Sequence, residues 1–281
     1  MRTRGEMTLK VGLIGCGAIG TVLARAIESG QAGNTRLLIV YDIAAEKAKA
    51  LCNKLYSRPR IAENFEELIA CEDLGLVIEA ASQEAVRAYG KKVLMAGKDL
   101  MIMSVGALVD SELAEEMKRC ALEKGGRIYI PSGAIAGLDG VKAAVVGKVD
   151  SVILTTRKPP EGLKDAPYVR LKKMRLGKLK NSKLIYEGPA YEACKFFPAN
   201  VNVAAALSLA GMGSEKTMVK IIADPSVKQN IHEIFVKGEF GELKVHVDNV
   251  PSADNPKTSY LAALSAISLL KRLSDPLVIG A

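Results

Sequence analysis

Residues 15–20 read Gly-Cys-Gly-Ala-Ile-Gly, between an apolar run (KVGLIG, 10–15) and a helical pattern that opens at Ala18. Small residues at this spacing suit the cradling of a pyrophosphate. Gly15 permits a tight turn, Gly17 lets the backbone approach the phosphates, and Gly20 lets helix and strand pack closely. The amides that open the helix, at Ala18 and Ile19, then face the anion with the positive end of the helix dipole. Asp42 closes the next apolar run, 22 residues beyond Gly20. A carboxylate there accepts hydrogen bonds from both adenosine ribose hydroxyls. That favours NAD, with NADP possible because Lys47 or Lys49 could serve a 2′-phosphate. The plainer reading is a strand–helix turn whose Asp caps the second helix. Strand, glycines, helix and acid all in sequence argue for the dinucleotide.

Proton transfer has few candidates. The chain has two histidines, His232 and His246, and imidazole is the side chain that takes a proton near neutral pH. His232 follows Asp224-Pro225 in a polar, turn-flanked context. His246 sits in the alternating segment KVHVD (244–248), where an exposed structural role is expected. Two histidines far from any paired cysteine argue against a structural zinc, and no metal is expected. Asn200 and Asn202 precede an apolar helix, so one serves as its N-cap and the other can offer an amide to a ligand. Lys195, Lys257 and Thr258 could hold a carboxylate, against the plainer readings of solvated lysines and a helix cap. Cys194 is not expected to act as a nucleophile, and Cys16 is expected to be a small hydrophobe inside the turn.

The elements that must position these residues come in two textures. From Thr8 to about Ile130, strand-like runs at 10–15, 36–42, 74–80, 99–105 and 127–133 alternate with helical patterns. The helices fall at 18–29, 44–55, 83–95 and from Asp110 or Ser111 to Gly125-Gly126. Near-continuous apolar strands between helices imply a parallel sheet covered on both faces, an α/β doubly wound Rossmann fold. After Gly133 the strand-like runs VDSVILTTR, SKLIYEG, KTMVKIIAD and HEIFVKGEFGELKVHV follow one another with few helices between, the clearest at 200–210. This predicts a second α+β domain built on a mostly antiparallel sheet with helices on one face. A final helix over 255–273, capped by Thr258 or Ser259, is expected to pack back on the first domain. The expected divisions are 1–133, 134–254 and 255–281.

Length and composition bound the class. With 281 residues, 49% of them hydrophobic, the chain can bury a large core without disulfide staples. Its five cysteines are widely spaced and form no CxxC pair, which fits a reducing, cytoplasmic setting. No apolar run is long enough for a signal peptide core or a membrane span, so no membrane partner is expected. The net charge of +8 lies in residues 157–183, where ten Lys and Arg meet two acids; the rest of the chain is neutral. With 5% aromatics and no zinc finger, this argues for a solvated surface strand and loop rather than nucleic-acid binding. Steering of an anionic substrate is the lesser reading.

Five stretches carry a resemblance: EAAS (79–82), PSGAIAGLDG (131–140), FFPANVNVAAALSLAG (196–211), ADPSVKQNIHEI (223–234) and NPKTSYLAALSAI (255–267). With the glycine fingerprint, they resemble those of L-aspartate dehydrogenases over nearly the whole chain. The resemblance implies oxidation of L-aspartate to iminoaspartate with NAD or NADP, a product that feeds NAD biosynthesis in several organisms, and a homodimer. It matches the family's active-site histidine to His232. It matches cofactor contacts to Ala136 and Asn202, and agrees with Ala80, Ala81 and Ser82 beside the cofactor. Amine oxidation requires the α-ammonium to lose a proton, which a neutral imidazole can take. The site of a dicarboxylate also needs cations or N–H donors, for which Asn200, Lys257 and Thr258 are candidates. Two other readings are a two-domain oxidoreductase of the homoserine or dihydrodipicolinate type and a dinucleotide-binding protein without catalysis. The paired-histidine segment of the dihydrodipicolinate reductases is absent.

Overall fold

The first strands are runs of branched apolar residues with no polar face, so they can be stable only when covered on both sides. The computed structural model, which describes residues 8–198, 201–252 and 259–279, bears this out. In chain order the elements are β1 (Leu9–Ile14), α1 (Ala18–Glu28), β2 (Thr35–Tyr41), α2 (Ala45–Cys52), β3 (Arg60–Ile61) and α3 (Phe65–Ile69). There follow β4 (Leu76–Glu79), α4 (Gln83–Met95), β5 (Asp99–Ile102), α5 (Ser111–Lys124) and β6 (Ile128–Tyr129). The six strands form a parallel sheet in the order β3-β2-β1-β4-β5-β6. Leu13, Leu23, Leu37, Leu76 and Met101 belong to one buried core; Ile39, Leu68, Val77, Val93 and Met117 belong to another. This is the doubly wound fold, and its strand order reverses beside β1, where ligands of such sheets sit.

Local chemistry sets the helix limits. Asp110 caps α5 by accepting the Leu113 amide at 3.2 Å, and Gly125 ends it in the left-handed conformation, φ +72°. β3 and α3 were not expected, because two and five residues are too few to show a period.

The chain divides into two compact units, one built on residues up to Pro131 together with Ala263–Ile279, the other on Ser132–Ala262. The second holds α6 (Leu138–Ala144), β7 (Val149–Lys158), α7 (Pro167–Leu171), β8 (Lys183–Pro189), α8 (Ala190–Phe196), α9 (Val201–Ala210), β9 (Thr217–Ala223), β10 (Asn230–Gly238) and β11 (Gly241–Asn249). Its sheet runs β11-β10-β7-β9-β8, antiparallel except for the β7–β9 pair. Helices are more frequent here than expected; α6, α7 and α8 are too short for periodicity to reveal. Residues 157–183, expected as a surface strand and loop, are the end of β7, α7, short turns and the start of β8. Eight of their ten cations are exposed. The exceptions are Arg157, half-buried and paired with Asp224 at 2.8 Å, and Lys158, which is buried.

The last helix, α10 (Tyr260–Ser274), places Ala266, Ile267, Leu269 and Leu270 in the first unit's core with Leu23 and Leu37. Ser274 Oγ accepts the Asn34 amide at 3.1 Å. Of its two expected caps, Thr258 lies outside the described residues, and Ser259 turns its hydroxyl to Asn249 Oδ1.

Candidate functional site

In the first unit, β1 runs straight into the glycine loop. Gly15 has φ +96°, and a Cβ there would lie 2.6 Å from the Ala80 carbonyl group and 2.7 Å from the Ala81 amide. Only glycine fits where the β1 and β4 ends meet. A Cβ on Gly20 would collide with the Gly15 carbonyl oxygen. Gly17 differs, since nothing lies within 4 Å of the position its Cβ would take. It is the N-cap of α1, no side chain caps that helix, and its first turn carries no acid. Ala18 and Ile19 open the helix there. Open space over Gly17 and uncapped amides fit the pyrophosphate of a dinucleotide.

Asp42 follows β2 directly. Its carboxylate accepts the Cys16 amide at 2.8 Å and the Ala44 amide at 2.9 Å, so it also fastens the loop to β2. The ribose role and the turn role are therefore compatible, as each oxygen keeps a second acceptor position. Ala80 and Ala81 form the backbone beneath Gly15, and Ser82 caps α4 by accepting the Ala85 amide at 3.2 Å. Sequence reasoning passed over Glu79. Its buried carboxylate accepts the Ala81 amide at 2.8 Å, the Ser104 amide at 2.9 Å and the Ser104 hydroxyl at 2.8 Å, tying the ends of β4 and β5 together. Burial raises its pKa, against the opposing pull of those donors.

In the second unit, one face of the sheet is buried. On β7 it carries Val152, Leu154, Thr156 and Lys158; on β10, His232, Ile234 and Val236; on β9, Val219, Ile221 and Ala223. On β7 and β10 this face is apolar at one end and turns polar at the other, where Thr156 pairs with His232 and His232 with Val247. His232 is 4% exposed, and its Nδ1 lies 3.0 Å from Thr156 Oγ1. Burial, and then the charge of Lys158, push its pKa down to about 4, so the imidazole is neutral at pH 7. In the tautomer that donates Nδ1–H to Thr156, Nε2 is left as the acceptor.

Two residues beyond Val247 on the same face, Asn249 is buried and donates to the Ala134 carbonyl at 3.1 Å while accepting from Ser259. This pins the loop that carries Ala136, which is exposed. Asn202 is exposed in the first turn of α9. Asn200, Lys257 and Thr258 lie outside the described residues. Lys195 is exposed, with its ammonium 5.6 Å from the Tyr191 ring centre. His246 is 55% exposed beside Glu233 and Asp248. Burial pushes the Cys194 thiol up to about 12; burial and then Asp42 do the same to Cys16, so neither is an activated thiolate.

Thr156, Lys158 and Asn249 were not singled out from the sequence. A signal was present: period-two alternation in VDSVILTTRK puts Lys158 on the face of Val152 and Leu154, where a lysine breaks the pattern. Among the described residues, no helix is long and apolar enough to cross a membrane, and no cluster of three or more metal-ligating residues occurs.

A family profile described as "Aspartate dehydrogenase, C-terminal" matches residues 139–273, and one described as "Homoserine dehydrogenase, NAD binding domain" matches residues 15–131. The L-aspartate dehydrogenase of Methanosarcina barkeri is 50% identical over 274 residues, covering 97% of this chain and 99% of its own length. That of Nitrosopumilus maritimus is 44% identical over 272 residues, covering 96% and 99%. The crystal structure of aspartate dehydrogenase from Thermotoga maritima superposes with a TM-score of 0.78 at 28% identity, covering 98% of this chain and all of that one. A homoserine dehydrogenase from Thiobacillus denitrificans, at 13% identity and a TM-score of 0.61 over 95% of this chain and 73% of its own, shares the fold alone.

Proposed function

The chain belongs to the aspartate dehydrogenase family, and from that premise we propose an NAD(P)-dependent oxidation of L-aspartate to iminoaspartate in which His232 is the general base. The observation that carries the assignment is a neutral, buried imidazole whose Nδ1 is engaged by Thr156. Thr156 fixes the ring, and Nε2 takes one proton from the α-ammonium of the substrate. The nitrogen lone pair so released closes the C=N bond as the Cα–H bond breaks with its electron pair. The bound cofactor supplies the oxidised nicotinamide ring that accepts this hydride. Gly15, Gly17 and Gly20 with the α1 amides hold the pyrophosphate, and Asp42 takes the ribose hydroxyls, favouring NAD. Asn249 holds the Ala136 loop, and Ala136 and Asn202 contact the cofactor.

The protein acts as a homodimer. The second sheet's other face supports this: Ile153, Met218, Ile222, Ile231 and Phe235 stand on it half-exposed. The same reading places the enzyme in the cytoplasm, where five free thiols stay reduced.

The test is NADH formation from L-aspartate, with glutamate, alanine and homoserine as controls. His232→Asn should lower kcat by about 100-fold or more, the usual worth of a positioned general base, with little change in the KM for NAD. Turnover near that of the unsubstituted enzyme would remove His232 from the role. Equal or better turnover of homoserine would remove the substrate assignment.

A further inference from the structure

Lys158 closes β7 on the buried face of the second unit's sheet. The residue is 6% exposed, yet its ammonium makes no hydrogen bond or ion pair with any described residue. The contrast is its neighbour Arg157, which faces the other way and is paired with Asp224 at 2.8 Å. A buried cation without a counter-charge is costly, and proteins keep one where a ligand completes it.

The surroundings of the ammonium fit a small anion. Opposite Lys158 on β9 stands Ala223, whose side chain ends at Cβ. Near its stem is Gly162, and a Cβ added there would still lie 4.0 Å from Lys158 Cδ. Across the sheet, Thr156 pairs with His232, so Lys158 is the diagonal neighbour of His232, roughly 7–8 Å away between Cα atoms. The two side chains leave the same face of the sheet. Among the described residues, two other buried ionisable groups stand at that end: Asp224, whose carboxylate is taken by Arg157 at 2.8 Å, and His232, whose neutral form supplies no counter-charge.

We propose that Lys158 receives a carboxylate of the substrate and so seats the dicarboxylic amino acid with its amino group at His232. This deepens the dehydrogenase reading given above and rests on it. Burial holds the ammonium's pKa down to about 8, so the desolvation penalty is already present before a carboxylate arrives to offset it. The same pairing screens His232 from the one positive charge that depresses its basicity, so the base is strongest when substrate is bound. Lysine, not arginine, suits this place: a compact ammonium fits beside Ala223 and Gly162 where a planar fork would need more room.

The experiment compares the unsubstituted enzyme with Lys158→Met and Lys158→Arg, with NAD at saturation for the aspartate and succinate measurements and varied at saturating aspartate for its own KM. Steady-state rates are measured with L-aspartate, and calorimetric binding with succinate, a dicarboxylate that cannot be oxidised at an amine. The expected result for Lys158→Met is a rise of about 30-fold or more in the KM for aspartate, as for loss of one partner of a buried charge pair. Succinate binding should weaken in parallel and the KM for NAD should stay unchanged, with part of the loss restored by Lys158→Arg. An unchanged KM and unchanged succinate affinity would overturn the proposal. So would a fall in kcat alone, which would make Lys158 a proton-transfer group. Should Lys158→Met fail to fold, the ζ-15N resonance of Lys158 in the unsubstituted enzyme, assigned with Lys158→Arg, gives the answer. Its pKa must rise on adding succinate, and no rise overturns the proposal. If aspartate yields no NADH while succinate still binds through Lys158, the dehydrogenase reading fails and the carboxylate site stands.

Discussion

His232 is defined by what surrounds it. At the surface, His246 has its pKa raised by the acids beside it, Glu233 first. His232 is instead enclosed, and its pKa falls to about 4 from burial and then Lys158. This has a consequence for stability. Below pH 6.5 the unfolded chain binds a proton that the folded chain refuses until about pH 4. Stability present above pH 6.5 is therefore lost as the pH falls through this window, by roughly 3 kcal/mol at its lower end. His232→Asn should remove that part of the acid sensitivity. Urea unfolding of both proteins at pH 7 and pH 4.5 measures it, and parallel losses in the two would show that His232 is not held neutral. Of the residues in this cluster, His232 could be singled out from the sequence. Thr156 and Asn249 could not, because threonine on a strand and asparagine at its end are ordinary until the register places them beside a histidine and a loop.

At the scale of elements, the β1–α1 junction separates three glycines by what each does. Gly15 is needed for a backbone conformation and a close approach to Ala80, Gly20 for contact with the Gly15 carbonyl, and Gly17 for empty space. Gly17→Val should therefore fold normally, with a melting temperature close to that of the unsubstituted protein, yet bind NAD at least about tenfold more weakly, the new side chain occupying the place of the pyrophosphate. Gly20→Val should lower the melting temperature as well, because its collision is with backbone. Thermal melts and cofactor fluorescence titrations separate the two. Equal NAD affinity in Gly17→Val would show that the phosphates lie elsewhere. The division of labour among these glycines was legible in the sequence because the constraint is local: strand, turn and helix are consecutive. The β7–β10 pairing that builds the second cluster was not. Its partners are 76 residues apart, and only the register decides that Thr156 faces His232.

At the scale of the molecule, the second sheet has one buried face and one that carries half-exposed Ile153 and Phe235 side by side in register. Exchanging both for lysine should leave each chain folded and convert a dimer to a monomer, as read by sedimentation velocity over a range of concentrations. An unchanged sedimentation coefficient would place any interface elsewhere. The charge pattern also looks different at this scale. Residues 157–183 carry the whole net charge and read in the sequence as a solvated patch, which most of them are. The strand alternation nonetheless takes Lys158 out of that patch and buries it. What the sequence determined by itself was therefore what depends on neighbours in the chain: the strand–helix alternation of a doubly wound sheet, the glycine loop and its acid, the limits of α4 and α5, and the family through its motifs. What only the tertiary structure decided was what depends on distant strands meeting. That includes which polar residues share the buried end of a face, which histidine is held neutral, and which of the seven lysines in 157–183 is buried. Burial and pairing partners are properties of the assembled sheet, and residue type alone does not carry them.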